Sequence, residues 1–239
     1  MILYLLLVGT AFICTAVSAV KNKATQRIYT GCIKANHVAL TFDDGIGNYT
    51  EELLDLLAFY QVKASFFILG ETLDEDRFQF EEHKNLLIRM IQDGHVVGTH
   101  SFDHPDFTKI SSEEITRQLL TTDAAIKKIL GVRPRFLRPP FGHLNKKVLK
   151  HLTSLGYLVV TWNKDTNDWR HQGSQEAITD FVKYEIGRPS VKSEGVIILQ
   201  HDTLKTSIKL QGNIIRMLRK KGYKFVSLQE CLGHKPYRI

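Results

Sequence analysis

The sequence predicts an α/β fold, a distorted and irregular (β/α) barrel with about seven parallel strands. Two observations carry the prediction. Seven apolar runs alternate with amphipathic segments along most of the 239-residue chain, the pattern of parallel strands covered by helices. Charged and polar residues then follow the C-terminal ends of five runs: Asp43 and Asp44, His100, Arg138, Asp165 and Asp168, and His201. An open sheet spreads such ends along an edge, whereas a barrel gathers them around one mouth. Seven strands leave that barrel irregular or incompletely closed.

The elements follow in order. After a polar arm ending near Ala35, Val38 to Phe42 reads as a strand and Thr50 to Tyr60 as a helix, with Thr50 as N-cap, Glu51 and Glu52 in its first turn, and a leucine face. Val62 to Leu69 is a strand, and Glu81 to Asp93 a helix stopped by Gly94. His95 to Thr99 is the third strand. A capping box, Ser111 to Glu114, opens a helix that ends before Gly131. Arg135 to Arg138 is short and extended between prolines, and Asn145 to Leu155 is helical up to Gly156. Tyr157 to Trp162 and Gly195 to Gln200 are strands around a helix from about Ser174 to Ile186. Thr206 to Lys221 is a helix closed by Gly222, Tyr223 to Ser227 the last strand, and the final helix is vestigial.

Composition bounds the class. Lys+Arg 32 against Asp+Glu 25 gives 32 − 25 = +7, a basic balance suited to anionic cell-wall or lipid surfaces. The basic residues are dispersed, so no nucleic-acid site is expected. Residues 1–19 are uncharged and apolar and end Val17-Ser18-Ala19, as a secretory signal peptide does; left uncleaved, the segment would anchor the chain to a membrane. The expected layout is therefore a signal peptide over 1–19, an arm over 20–35 and one catalytic domain over 36–239, secreted or held at the cell wall or surface. Removing the signal leaves Cys32 and Cys231, an even pair for an oxidising compartment, and a single bridge between them is expected.

The strand ends hold the chemistry. Asp-Asp-Gly is also good turn chemistry, but Asp44 together with His100 and His104 makes a two-histidine, one-carboxylate set that fits a catalytic divalent ion, with water completing the site. The histidines stand four apart, one helical turn, so both rings can face one ion. Zinc is the expected ion, with cobalt an alternative. Asp43 is then placed to take a proton from water, and Arg138 to keep it ionised and aimed. Pro139 and Pro140 make a stiff turn in which the Phe141 amide can donate to an oxyanion. His201 can protonate a leaving amine, held cationic by Asp165 or Asp168. Trp169 and Leu199 can wall a small apolar pocket. His37, His95, His143 and His151 have no comparable partners and read as structural or surface residues.

Five ordered motifs, Thr41-Phe42-Asp43-Asp44-Gly45, His100-Ser101-Phe102-Asp103-His104, Arg138-Pro139-Pro140-Phe141-Gly142, Asp165-Thr166-Asn167-Asp168-Trp169 and Ile198-Leu199-Gln200-His201-Asp202, resemble those of the polysaccharide deacetylases of the nodulation-protein type, carbohydrate esterase family four. The resemblance implies a distorted (β/α) barrel and metal-dependent removal of acetyl from N-acetylglucosamine units of chitin or peptidoglycan. The protein is expected to be a monomer. It further implies Asp43 as base, Asp44, His100 and His104 as ligands, and Arg138 as orienter of the base. Phe141 would be the oxyanion amide, Asp168 the residue tuning the acid His201, and Trp169 and Leu199 the acetyl pocket. Two positions depart from the usual pattern: Ile46 where proline is usual, and Phe141 where tyrosine is commoner. Asn48-Tyr49-Thr50 is a glycosylation sequon near the expected mouth. A wall-associated glycan-binding protein with impaired catalysis, and a deacylase of small molecules, are the alternatives.

Overall fold

The computed structural model describes residues 26–170, 174–190 and 193–238. The expected signal peptide lies outside them. Strands β1 (Ile28–Tyr29), β2 (His37–Asp43), β3 (Ser65–Ile68), β4 (Val96–Thr99), β5 (Arg133–Pro134), β6 (Phe136–Leu137), β7 (Leu158–Val160), β8 (Lys164–Asp165), β9 (Val196–His201), β10 (Lys224–Phe225) and β11 (Tyr237–Arg238) interleave with helices α1 (Thr50–Phe59), α2 (Phe80–Gln92), α3 (Ser112–Leu130), α4 (Lys146–Ser154), α5 (Gln175–Asp180), α6 (Lys205–Lys221) and α7 (Leu228–Leu232). Among the described residues nine strands form one sheet in the order β1-β7-β6-β4-β3-β2-β9-β8, with β10 beside the start of β2, and the pairings in it are parallel. No ladder joins β1 to β8 among the described residues, so the sheet curls into an incompletely closed barrel. At that seam the Asn163 side chain donates to the Gly195 carbonyl and accepts from the Ile197 amide, while Cys32 and Gly195 exchange backbone bonds.

Strand alternation sorts the core into two layers and aims the site. On β2, Val38, Leu40 and Phe42 pack outward with Phe66, Ile198 and the leucines of α1, Phe42 stacking on Phe66 at 5.4 Å. Ala39 belongs to a second cluster with Phe67, Phe136, Val160 and Ile197, which fills the barrel interior. Thr41 and Asp43 share the parity of Ala39. Leu199 and His201 likewise share that of Ile197 on β9, in register with Thr41 and Asp43. Each fully buried side chain of this kind contributes about 1.5–3 kcal/mol, so the register is fixed by packing before any polar contact is made.

Several local expectations hold. Ser111 accepts the Glu114 amide, and Gly131 and Gly222 end α3 and α6 in the left-handed conformation. The bridge forms: Cys32 and Cys231, both buried, are disulfide-bonded with Cα atoms 4.5 Å apart. Other expectations need correction. The arm is not featureless, since Ile28–Tyr29 pairs with β7; two residues are too few to leave a periodic signal. The helix expected to Ile186 is helical over Gln175–Asp180 and passes into a π-helical turn at Phe181–Glu185. Thr50 is not an N-cap but the first residue of α1, following Tyr49, and its hydroxyl serves other partners. No helix among the described residues is long and apolar enough to cross a membrane.

Candidate active site

The strand ends converge on a cavity of about 410 Å³ at the barrel mouth, lined in part by Asp43, Asp44, His100, His104, Leu199 and His201. Phe141 and Trp169 also line it, each about half exposed. Every residue the sequence reading placed here reaches this mouth or supports it.

Asp43 ends β2 with its side chain in the barrel interior, where Arg138 Nη1 donates to its Oδ1 at 2.7 Å. The guanidinium is fully buried; Nη1 also donates to Thr41 Oγ1 and Nη2 to the Thr161 carbonyl, and it lies 4.3 Å above the Phe67 ring. Burial raises the Asp43 pKa while the Arg138 charge opposes the rise. Burial also weakens Arg138 as a cation, with Asp43 opposing that in turn. A pair so enclosed survives because each charge has the other, and Nη1 and Nη2 are both bonded, although Nε is buried without a partner.

Asp44 leaves the strand with φ 69°, which turns its carboxylate away from Asp43 and toward two imidazoles. Its Oδ1 lies 3.4 Å from His100 Nε2 and 3.5 Å from His104 Nε2. That oxygen is buried and makes no hydrogen bond. An orphaned carboxylate oxygen facing two ring nitrogens is costly unless a cation is shared among them. The three donor atoms lie within 4.8 Å of one another, so the residues fit a divalent ion. His100 Nδ1 sits 2.7 Å from the Arg138 carbonyl, which can only accept; the proton is therefore on Nδ1 and Nε2 keeps its lone pair. Burial holds the His100 pKa down to about 3, so the ring is neutral as a ligand must be.

His100 and His104 do not lie on a helical turn, contrary to the expectation from their spacing. The segment is a loop in which Ser101 and His104 take φ values of 77° and 63°, and the His104 amide donates to Ser101 Oγ. The rings still approach to 5.0 Å, because the loop folds back where a helix would have advanced.

Across the cavity, His201 Nδ1 donates to Asp168 Oδ1 at 2.7 Å, leaving Nε2 3.9 Å from Asp44 Oδ2. Asp168 is buried and accepts three more bonds, from the His201 and Trp169 amides and Ser207 Oγ. Burial disfavours the imidazolium, but the hydrogen bond and charge of Asp168, with Asp43 and Asp44 behind, outweigh it and raise the pKa to about 9. Asp168 and not Asp165 is the partner; Asp165 Oδ1 accepts the Asn167 amide of its own loop.

Phe141 sits at φ 59° in the turn Pro140–Gly142, its ring edge-on to His104 at 4.4 Å. Gly142 follows at φ 68°, where a Cβ would fall 2.6 Å from Trp162, so only glycine fits. Ile46 is buried and its amide donates to Thr72 Oγ1, a bond proline could not make. Sequence reasoning missed three residues. His143, read above as structural or surface, lines the mouth and is bonded to Asp106. Trp162 lies beneath the mouth, and Ser207 reaches Asp168 from α6.

The pattern of the family described as Polysaccharide deacetylase matches residues 30–160, more than half of the 239 residues. The chain belongs to the polysaccharide deacetylase family. Among relatives of that family it is 35% identical over 205 residues to a peptidoglycan-N-acetylglucosamine deacetylase of Bacillus cereus, covering 84% of this chain and 70% of that protein. It is also 35% identical to a peptidoglycan-N-acetylglucosamine deacetylase of Listeria monocytogenes, over 83% of this chain but 39% of that longer protein. The solved structure of a chitin deacetylase from Colletotrichum lindemuthianum superposes with a TM-score of 0.83 at 30% identity, covering 89% of this chain and 96% of that one. That likeness covers more of the chain than its first 160 residues hold, so it extends past residue 160.

Proposed function

We propose that this protein is a metal-dependent deacetylase of N-acetylglucosamine units in a glycan, chitin or peptidoglycan, acting outside the cytoplasm. The observation that carries the reading is the unpaired, buried Asp44 Oδ1 facing His100 and His104 within one cavity that also holds Asp43 and His201. Asp44, His100 and His104 would hold zinc, or cobalt in its place. Bound there, such an ion would supply Lewis acidity to the acetamide oxygen and acidify a water.

The protein's own groups do the rest. Asp43, whose ionised form the Arg138 charge favours, accepts a proton from the attacking water. The Phe141 amide donates to the carbonyl oxygen as negative charge develops on it. His201, cationic through Asp168, gives its Nε2 proton to the departing glucosamine nitrogen. Leu199 and Trp169 receive the acetyl methyl. His100 and His201 differ at Nδ1, which donates to a backbone carbonyl in the one and to a buried carboxylate in the other, and the first is neutral while the second is cationic.

Acetate release from chitin oligomers of several lengths and from peptidoglycan fragments, with zinc supplied, tests the reading. Acetate from either class supports it and names the polymer. No acetate from any substrate, with zinc bound, overturns it.

A further inference from the structure

The segment carrying Asp44 is held from a side that takes no part in the proposed chemistry. Thr50 is fully buried. Its hydroxyl accepts the Gly47 amide at 2.9 Å and donates to Asp202 Oδ2 at 2.6 Å. Asp202, also buried, directly follows His201 and does not line the cavity. Gly45 rests against the same carboxylate so closely that a Cβ would lie 2.2 Å from Oδ2 and 2.6 Å from Oδ1. One carboxylate therefore fixes the loop twice, by contact at Gly45 and through Thr50 at Gly47. Its Oδ1 is buried without a partner. An incompletely bonded, enclosed carboxylate costs stability, so packing alone does not account for it.

We infer that Asp202 and Thr50 are positioning residues, a clasp that holds the ligand Asp44 in its left-handed backbone conformation facing His100 and His104 and at a fixed offset from His201. The inference rests on the metal site proposed above. The clasp links the two halves of the mouth, because Asp44 follows β2 and Asp202 follows its parallel neighbour β9. It also gives Thr50 a reason to be threonine apart from the sequon: the hydroxyl is committed inside the fold, whatever is attached at Asn48. Valine keeps the shape and loses the bond; serine keeps the bond; changing Asn48 removes the sequon and leaves the clasp untouched.

The experiment measures zinc affinity by chelator competition, with the thermal midpoint of each metal-free protein, in Thr50→Val, Thr50→Ser, Asp202→Ala and Asn48→Gln. Thr50→Val is expected to bind zinc about tenfold or more weakly, the usual size for residues that support a ligand. Thr50→Ser and Asn48→Gln should stay within a few-fold of the unaltered protein. Asp202→Ala, which removes the acceptor, gives the same loss by a second route if the valine variant does not fold. Equal zinc affinity in folded Thr50→Val or Asp202→Ala overturns the clasp and leaves the metal site standing. No zinc binding by the unaltered protein overturns the metal reading and the clasp with it.

Discussion

Asp168 reaches His201 twice, its Oδ1 accepting the imidazole Nδ1–H and its Oδ2 the backbone amide of the same residue. The double contact fixes which ring nitrogen faces the cavity and supplies the charge that raises the His201 pKa to about 9 against the pull of burial. Asp168→Asn removes the charge and leaves the burial, so the His201 titration followed by NMR should fall toward or below 6.5. The stability consequence has a definite sign. A histidine whose folded pKa is raised contributes stability below its unfolded pKa of about 6.5, and loses it as pH rises through about 9. In metal-free protein the contribution is about 3 kcal/mol at most. The stability gap between the unaltered protein and Asp168→Asn should therefore be full at pH 6 and narrow above pH 9. A gap independent of pH would show that Asp168 acts only through its amide bonds.

The disulfide joins residues separated by 199 positions, and reducing it frees an unfolded loop of nearly the whole domain. In the loop-entropy account the loss is about 5 kcal/mol or less. Cys32→Ser with Cys231→Ser should lower the denaturant midpoint and steepen the transition, because the freed unfolded chain exposes more surface. An unchanged midpoint would mean that Tyr29, Val226 and Leu232, which pack around the bridge, hold the arm and the last helix unaided.

These relations differ in how far the sequence announces them. β2 and β9 were legible because both carry unbroken apolar runs, and the residues just past each run stand at the mouth by strand geometry alone. Asp43, Asp44 and His201 follow from that. The choice between Asp168 and Asp165 does not, since it depends on the path of a loop and on Ser207 arriving from α6. His143 was illegible because a single histidine has no period and the turn at Phe141 brings it to the cavity, whereas Trp162 follows β7 and stood at the end of an expected strand with no acid-base or ligand chemistry to single it out. His100 and His104 were found by spacing, although the backbone that unites them is a loop. Ligand spacing fixes which side chains can meet without fixing how the chain brings them together.

Metal should appear in stability before activity is measured. An ion bound only by folded protein stabilises by about 2.7 kcal/mol when present at a hundred times its dissociation constant. Chelation should lower the thermal midpoint, zinc should restore it, and Asp44→Ala should abolish the difference while leaving the metal-free midpoint little changed or raised. The rise is possible because the substitution removes an oxygen that is buried and unpaired without the ion. Zinc stabilisation that persists in Asp44→Ala would place the ion elsewhere.

The sharpest separation is between Asp43 and the guanidinium beside it. Asp43→Asn removes the proposed proton acceptor and leaves the ligands in place, at a cost in stability for the buried Arg138 charge left unpaired. Zinc affinity should stay within a few-fold, while turnover falls about a hundred- to ten-thousand-fold. Arg138→Met acts in a different way. It keeps most of the buried volume over Phe67 but leaves the Asp43 carboxylate enclosed without its counter-charge. Burial already raises the Asp43 pKa and Arg138 opposes the rise, so its removal must raise it further. The acid limb of the rate profile should then move toward neutral pH, with turnover recovering as pH is raised. Stability should drop as well, by about 3–5 kcal/mol for an uncompensated buried charge, and less at pH values low enough to protonate Asp43. Loss of turnover without a shifted limb would make Arg138 a structural support alone. A shifted limb that Asp43→Asn abolishes, with its residual rate flat across the acid range, assigns that limb to Asp43 and gives the arginine its role in keeping the base ionised.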